Sequence, residues 1–217
     1  MGNLRILVAV VLLAAGLAAC GNKKDTAAEQ GKAPTRMVPA TDDVVDQYVT
    51  TSREAAQKLG GALKTALQTA MTEGGPVEAL NVCHDEAEVI AERICNEEGL
   101  TVGRTSRKFR NPGNAPDAWE RSSLEAFDAR MAAGENPADL EMWATVTGPD
   151  GSRTFRYLKA IPTGPLCLTC HGSELAPELD ESLVILYPDD HARGFAVGDM
   201  RGAFTVKMDL PRDDTGG

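Results

Sequence analysis

Between residues 41 and 98 the apolar positions recur at steps of three and four, the spacing of one helical face. Val45, Tyr48, Leu59, Leu63, Leu67 and Met71 form a first stripe, with Thr41 and Asp42 able to cap its start and Gly74-Gly75 to end it. Pro76 suits the first turn of a second helix, which the pattern carries unbroken to Glu98. At about 100° per residue, Cys83 shares that helix's apolar face with Leu80, Ala87, Ile90 and Ile94. His84 and Cys95 fall toward the edge of the face. Cys83 and Cys95 would stand about 18 Å apart along the axis, too far for a disulfide while the helix is intact.

The period then changes. Residues 100–110 read as extended chain and Asn111-Pro112-Gly113 as a break, after which a helix runs from Asp117 to about Met131. Residues 141–147 and 153–161 read as two short strands joined by Gly148-Pro149-Asp150-Gly151, a hairpin signal. A last strand over 202–208 alternates Phe204, Val206 and Met208 with Ala203, Thr205 and Lys207. Two long helices followed by strands with a shorter helix between them predict an α+β domain with an antiparallel sheet over residues 41–211, and a short tail over 212–217.

The N-terminus changes the picture of where such a domain works. Arg5 precedes an apolar run over residues 6–17 that ends in Leu17-Ala18-Ala19-Cys20. That is the layout of a secretory signal, short for a membrane span. Leu-Ala-Ala-Cys resembles the bacterial lipobox. This implies a signal peptide over 1–19, a lipidated Cys20, and a flexible polar tether over 20–40. The expectation is an extracytoplasmic protein held to a membrane by its lipid, with Gly21 rather than aspartate after the cysteine pointing to the outer membrane. The net charge is −10, and loss of Arg5 makes it more negative, which argues against a nucleic-acid partner. Aromatic residues make up 5% of the chain, so the core leans on Leu, Val, Ala and any group it encloses.

With Cys20 assigned to lipid, Cys83, Cys95, Cys167 and Cys170 remain. Two of them stand in Cys167-Leu168-Thr169-Cys170-His171. Cysteines at i and i+3 reach one side of a helical turn and the next histidine can meet a metal there, the needs of a covalently attached haem. A structural zinc site lacks its second ligand pair in this chain. A thioredoxin-like site fits poorly with Pro165 and the antiparallel strands, and a plain disulfide leaves His171 without a role. Export favours haem. The ligand on the opposite face stays open among Cys83, His84, His191, Met71, Met131, Met142, Met200 and Met208.

Four segments taken together, LNVCHDEA (80–87), LTVGRTSRKFRNPGNAPDAWE (100–120), YLKAIPTGPLCLTCHG (157–172) and AVGDMRGAFTVKM (196–208), resemble a bacterial family of haem-c-binding, PAS-like sensor domains over about residues 43–209. The resemblance implies a PAS-like antiparallel sheet with long N-terminal helices and one covalent haem c. Cys167 and Cys170 match the thioether cysteines, His171 the proximal ligand, and Cys83 the opposite axial ligand. The arginine-rich segment matches a patterned part of the family, which makes Arg104, Arg107 and Arg110 candidate propionate contacts or else a solvated cationic strand. The function implied is redox sensing or low-potential electron transfer with a separate redox or signalling protein partner, and not enzymatic catalysis. Sensing of NO or CO, and peroxidase-like chemistry, are the alternative readings.

Overall fold

The structure, a computed structural model, describes residues 42–211. The lipobox, Cys20, the tether and the tail over 212–217 lie outside the described residues. None of the described helices is long and apolar enough to cross a membrane.

Helix α1 spans Asp42–Glu73, with Asp42 and Asp43 in its first turn, where the helix dipole favours acids. Its buried stripe is Val49, Ser52, Ala55, Ala56 and Leu59. Gly60 lies against the sheet so closely that a Cβ there would meet Phe204 Cζ at 2.8 Å. Helix α2 (Gly75–Asn81) follows with proline in its first turn. The helix expected to run unbroken to Glu98 does not. A π turn over Val82–Glu86 intervenes, closed by the Ala87 N–H donating to the Val82 carbonyl, and α3 resumes at Ala87–Glu98. The additional residue in that turn rotates everything after it. Cys95, expected at the edge of the apolar face, is therefore buried in the core, where its sulfur accepts from Val102 N at 3.3 Å. Gly99 ends α3 in the left-handed conformation that glycine adopts without strain.

Strand β1 covers Thr101–Thr105, shorter than the extended stretch expected to Arg110. It stops because Ser106 turns away: its N–H donates to Asn114 O and its hydroxyl bonds to the Lys108 and Arg201 carbonyls. Helix α4 (Ala118–Ala132) begins at Asp117 with a capping box to Glu120. Strands β2 (Glu141–Thr147) and β3 (Arg153–Pro162) form the expected hairpin. After β3 come a single turn α5 (Leu168–His171), helix α6 (Pro177–Leu186), absent from the sequence expectation, and strand β4 (Met200–Leu210).

The four strands form one antiparallel sheet in the order β1-β4-β3-β2. Alternation sorts the side chains to two faces. Phe155, Tyr157 and Val206 pack on α1 and α3 with Leu59, Ile94 and Val102. Leu158, Ala160 and Ala203 pack on α4 through Leu124 and Phe127. Helices cover both faces, which explains why β3 is buried continuously from Phe155 to Leu158. Leu80, Leu179, Leu183 and Tyr187 make a smaller cluster that joins α2 to α6, with Cys170 packed against it. That cluster fixes α5 beside the π turn.

Candidate functional site

At the end of the sheet, beyond the α1 face, lies a cleft enclosing about 1040 Å³ of empty space with its open mouth included. Leu67 and Met71 of α1, Cys83 of the π turn, Arg104 of β1, Ile161 of β3, Leu166, Cys167 and residues 169–171, and Arg201 of β4 all contribute to its wall. Segments up to 134 positions apart in sequence thus meet around one space.

Cys167, Cys170, His171 and Cys83, the four residues singled out in the sequence, are brought together here. All four cysteines of the described region are free thiols. The turn that carries Cys167 and Cys170 starts at Pro165 as a 3-10 turn and continues as α5. Cys167 Sγ accepts from Gly164 N at 3.4 Å. Burial pushes the Cys170 thiol above its ordinary range, opposed by the nearby Arg110 cation. Gly172 follows immediately, and a Cβ at that position would meet the Leu168 carbonyl oxygen at 2.7 Å, so the chain closes tightly behind the histidine.

His171 is held from behind. Its Nδ1–H donates to the Ala192 carbonyl at 2.7 Å, which leaves the Nε2 lone pair free. Burial, with the cations Arg201 and Arg110, pushes its pKa down to about 3, so the ring is neutral at physiological pH. The acceptor is itself fixed. Arg110 is buried and pairs with Asp190 (Nε–Oδ1 3.1 Å), while Asp190 also accepts from Ala192 N at 2.9 Å. Arg110 further donates to the carbonyls of Cys170 and Ala192. One arginine–aspartate pair therefore ties the cysteine turn to the loop that orients the histidine.

The other sequence candidates separate cleanly. His84 is exposed, bonded to Asp85 and edge-on to Tyr187, and is not part of the cleft wall. His191 is exposed and lies edge-on to Phe109. Of the methionines, Met71 lines the cleft, Met131 and Met200 line a separate depression, and Met142 and Met208 pack on the core clusters. Arg107 pairs with Asp128 in that separate depression. Arg110 reaches the cleft wall, but its charge is engaged by Asp190. Arg104 lines the cleft, its side chain without a hydrogen bond or ion pair among the described residues.

Sequence reasoning overlooked three contributors: Tyr187, the Ala192 carbonyl and Arg201. Tyr187 has its pKa pushed up to about 12 by burial, and by the Cys83 sulfur beside it. Only Arg201 had a sequence signal, a cation at the start of the last strand just before Gly202.

Two thiols, a neutral imidazole with one nitrogen presented, and a third thiol across the space make a soft nitrogen–sulfur donor set. Among the described residues no three His, Cys, Asp or Glu side chains converge on a single point. A group that engages all four donors is therefore wider than one ion. Leu67, Ile161, Leu166 and Phe109 offer it apolar walls.

Comparison with known proteins places the chain in context. Residues 22–209 match the family described as Tll0287-like (Tll0287). Among solved structures, the crystal structure of the cyanobacterial heme-protein Tll0287 matches with a TM-score of 0.54 at 24% identity, covering 80% of this chain and 99% of that one. At that identity the likeness speaks for the fold. No curated protein matches the chain.

Proposed function

The chain belongs to the Tll0287-like family, and on that premise we propose that it is a non-enzymatic haem-binding protein carrying one covalent haem c for redox sensing or low-potential electron transfer. The observation that carries this reading is the meeting of Cys83 with Cys167, Cys170 and His171 around one cleft, with the histidine's outer nitrogen already engaged. The matched structure is that of a haem protein, and the donor set here suits the same group.

Cys167 and Cys170 would hold the macrocycle through thioether bonds, and His171 would present Nε2 to the iron. Haem bound there supplies an iron that exchanges single electrons between ferric and ferrous states. The residues set how it does so. Donation of Nδ1–H to Ala192 makes the imidazole a stronger and better oriented ligand. Cys83, as a second residue holding the iron, would supply anionic sulfur, which would favour the ferric state and lower the potential. If His171 and Cys83 both held the iron, a gas or peroxide would have to displace one of them. For that reason electron transfer is preferred over gas sensing or peroxidase chemistry.

Met71 also lines the cleft, and thioether ligation by it is the second reading, with the opposite consequence for the potential. The N-terminal lipobox supports a lipid-anchored, extracytoplasmic setting and a separate protein partner that gives or takes the electron.

Intact-mass measurement of the exported full-length protein tests the cofactor assignment. The expected mass includes one haem that survives denaturation, and Cys167→Ser/Cys170→Ser removes it. A wild-type mass equal to the polypeptide plus its lipid alone would refute covalent haem.

A further inference from the structure

The protein carries a formal net charge of −10, yet the wall of the cleft includes three arginines and no aspartate or glutamate. Such a local reversal of charge is costly in a half-enclosed space unless an anion belongs there. One of the three cations is accounted for. Arg110 has the two carboxylate oxygens of Asp190 within 3.2 Å. The other two are not. Arg201 donates from Nη1 only to neutral acceptors, Ser106 Oγ at 3.3 Å and Lys108 O at 3.2 Å, and its guanidinium lies 5.2 Å from the Phe195 ring centre. The Arg104 side chain lines the cleft and has no hydrogen bond or ion pair among the described residues.

We infer that Arg104 and Arg201 form a carboxylate-binding end of the cleft that takes the two propionate groups of the haem. This inference rests on the reading of the cleft as a haem site. The thioether cysteines belong to the vinyl edge of the macrocycle, and Arg110, bonded to the Cys170 carbonyl, stays with them. The propionates, on another edge, need cations of their own, and planar guanidinium groups match carboxylates in a paired geometry. The backbone supports the arrangement. A Cβ on Gly202 would meet the Thr105 carbonyl oxygen at 2.5 Å, so glycine lets β4 approach β1 where the two arginines leave their strands.

The electrostatics agree. Burial, followed by repulsion from Arg110 and Arg104, pushes the Arg201 pKa down to about 10, opposed by Asp190 and the Cys83 sulfur. Cys83, Arg104, Arg110, Cys167, Cys170, His171 and Tyr187 are the titratable neighbours of Arg201 in the cleft wall, with Asp190 paired to Arg110 outside that wall. A pair of carboxylates would relieve the repulsion between the guanidinium groups.

The test uses the haem-loaded, full-length protein and its Arg104→Met, Arg201→Met, Arg201→Lys and Arg107→Met variants, with the midpoint potential followed against pH. Loss of an arginine beside a carboxylate raises the carboxylate pKa by about 1–3 units. Arg104→Met and Arg201→Met are therefore expected to move the pH-dependent step of the potential upward by that amount. Arg201→Lys should restore most of the wild-type profile, and Arg107→Met should leave it unchanged. Should Arg201→Met not fold, Arg104→Met and Arg201→Gln carry the same readout. A wild-type profile in every folded Arg104 and Arg201 variant with covalent haem present overturns the assignment while leaving the haem site standing. Absence of haem from the wild-type protein overturns both.

Discussion

His171 shows how much a single residue depends on partners that the motif around it does not contain. Cys167, Cys170 and His171 are legible in the sequence because their chemistry is local: i, i+3 and i+4 share one helical turn. What orients the imidazole is not local. The Ala192 carbonyl accepts its proton; Arg110, 82 positions earlier, donates to that carbonyl, and Arg110 also pairs with Asp190, which accepts from the Ala192 N–H. The family resemblance made Arg110 a candidate cofactor contact or part of a solvated cationic strand; its buried pairing with Asp190 suits a positioning role. Arg110→Met should therefore leave Asp190 buried without its main partner and destabilise the fold by about 3–5 kcal/mol. It should also alter the acid response. Burial acts to raise the Asp190 pKa, but bonds from Arg110, Ala192 N and Arg193 hold it below the usual carboxylate range. A depressed carboxylate contributes stability in full above its unfolded pKa, about 3.9, and that contribution is lost as pH falls through the folded value. Denaturant titrations from pH 7 to pH 3 should show the wild type losing stability below about pH 4 more steeply than Arg110→Met. Equal stability of the two proteins at pH 7 would contradict the positioning role.

At the scale of elements, the helices, the hairpin and the last strand follow from periodicity, and their observed limits differ from expectation by a few residues. The π turn over Val82–Glu86 does not follow from it. A hydrophobic wheel assumes one constant rotation per residue, and a single inserted residue breaks that assumption with no compositional mark. The wheel placed Cys83 on the apolar face and Cys95 at its edge. The observed turn lets Cys83 face the cleft while Cys95 enters the core, so backbone geometry gives the two cysteines different roles. π turns inside helices recur at functional sites because they re-aim side chains at a cost in helix geometry. Asp85 is exposed within this turn, and deleting it should convert the π turn to a regular helix. The expected outcome is an unchanged far-ultraviolet circular dichroism spectrum together with loss of the Cys83 contribution to the iron spectrum. Retention of wild-type absorption by the deletion variant would show that the turn does not aim Cys83. Helix α6 escaped the sequence reading for a different reason. Its ten residues mix buried Leu179 and Leu183 with exposed Val184 and Ile185, which blurs the helical stripe.

For the molecule as a whole, the α+β class was legible because long amphipathic segments precede alternating ones, and no knowledge of pairing was needed. The strand order β1-β4-β3-β2 and the cleft were not legible, since both arise from contacts between distant segments. Each layer of the architecture has its own part in building the site. Helices α1 and α3 back one sheet face, α4 backs the other, and the sheet's end with α5, α6 and the π turn encloses the cleft. An acidic molecule thereby presents an inward cationic space with sulfur and imidazole donors around it. The central claim is that His171 and Cys83 hold a haem iron between them. Absorption spectra of the oxidised and reduced protein, compared with those of Cys83→Ala, His84→Ala and Met71→Leu, test it most directly. A low-spin, sulfur-ligated ferric spectrum lost only in Cys83→Ala is the predicted result; loss in Met71→Leu or His84→Ala with Cys83→Ala unchanged would contradict it.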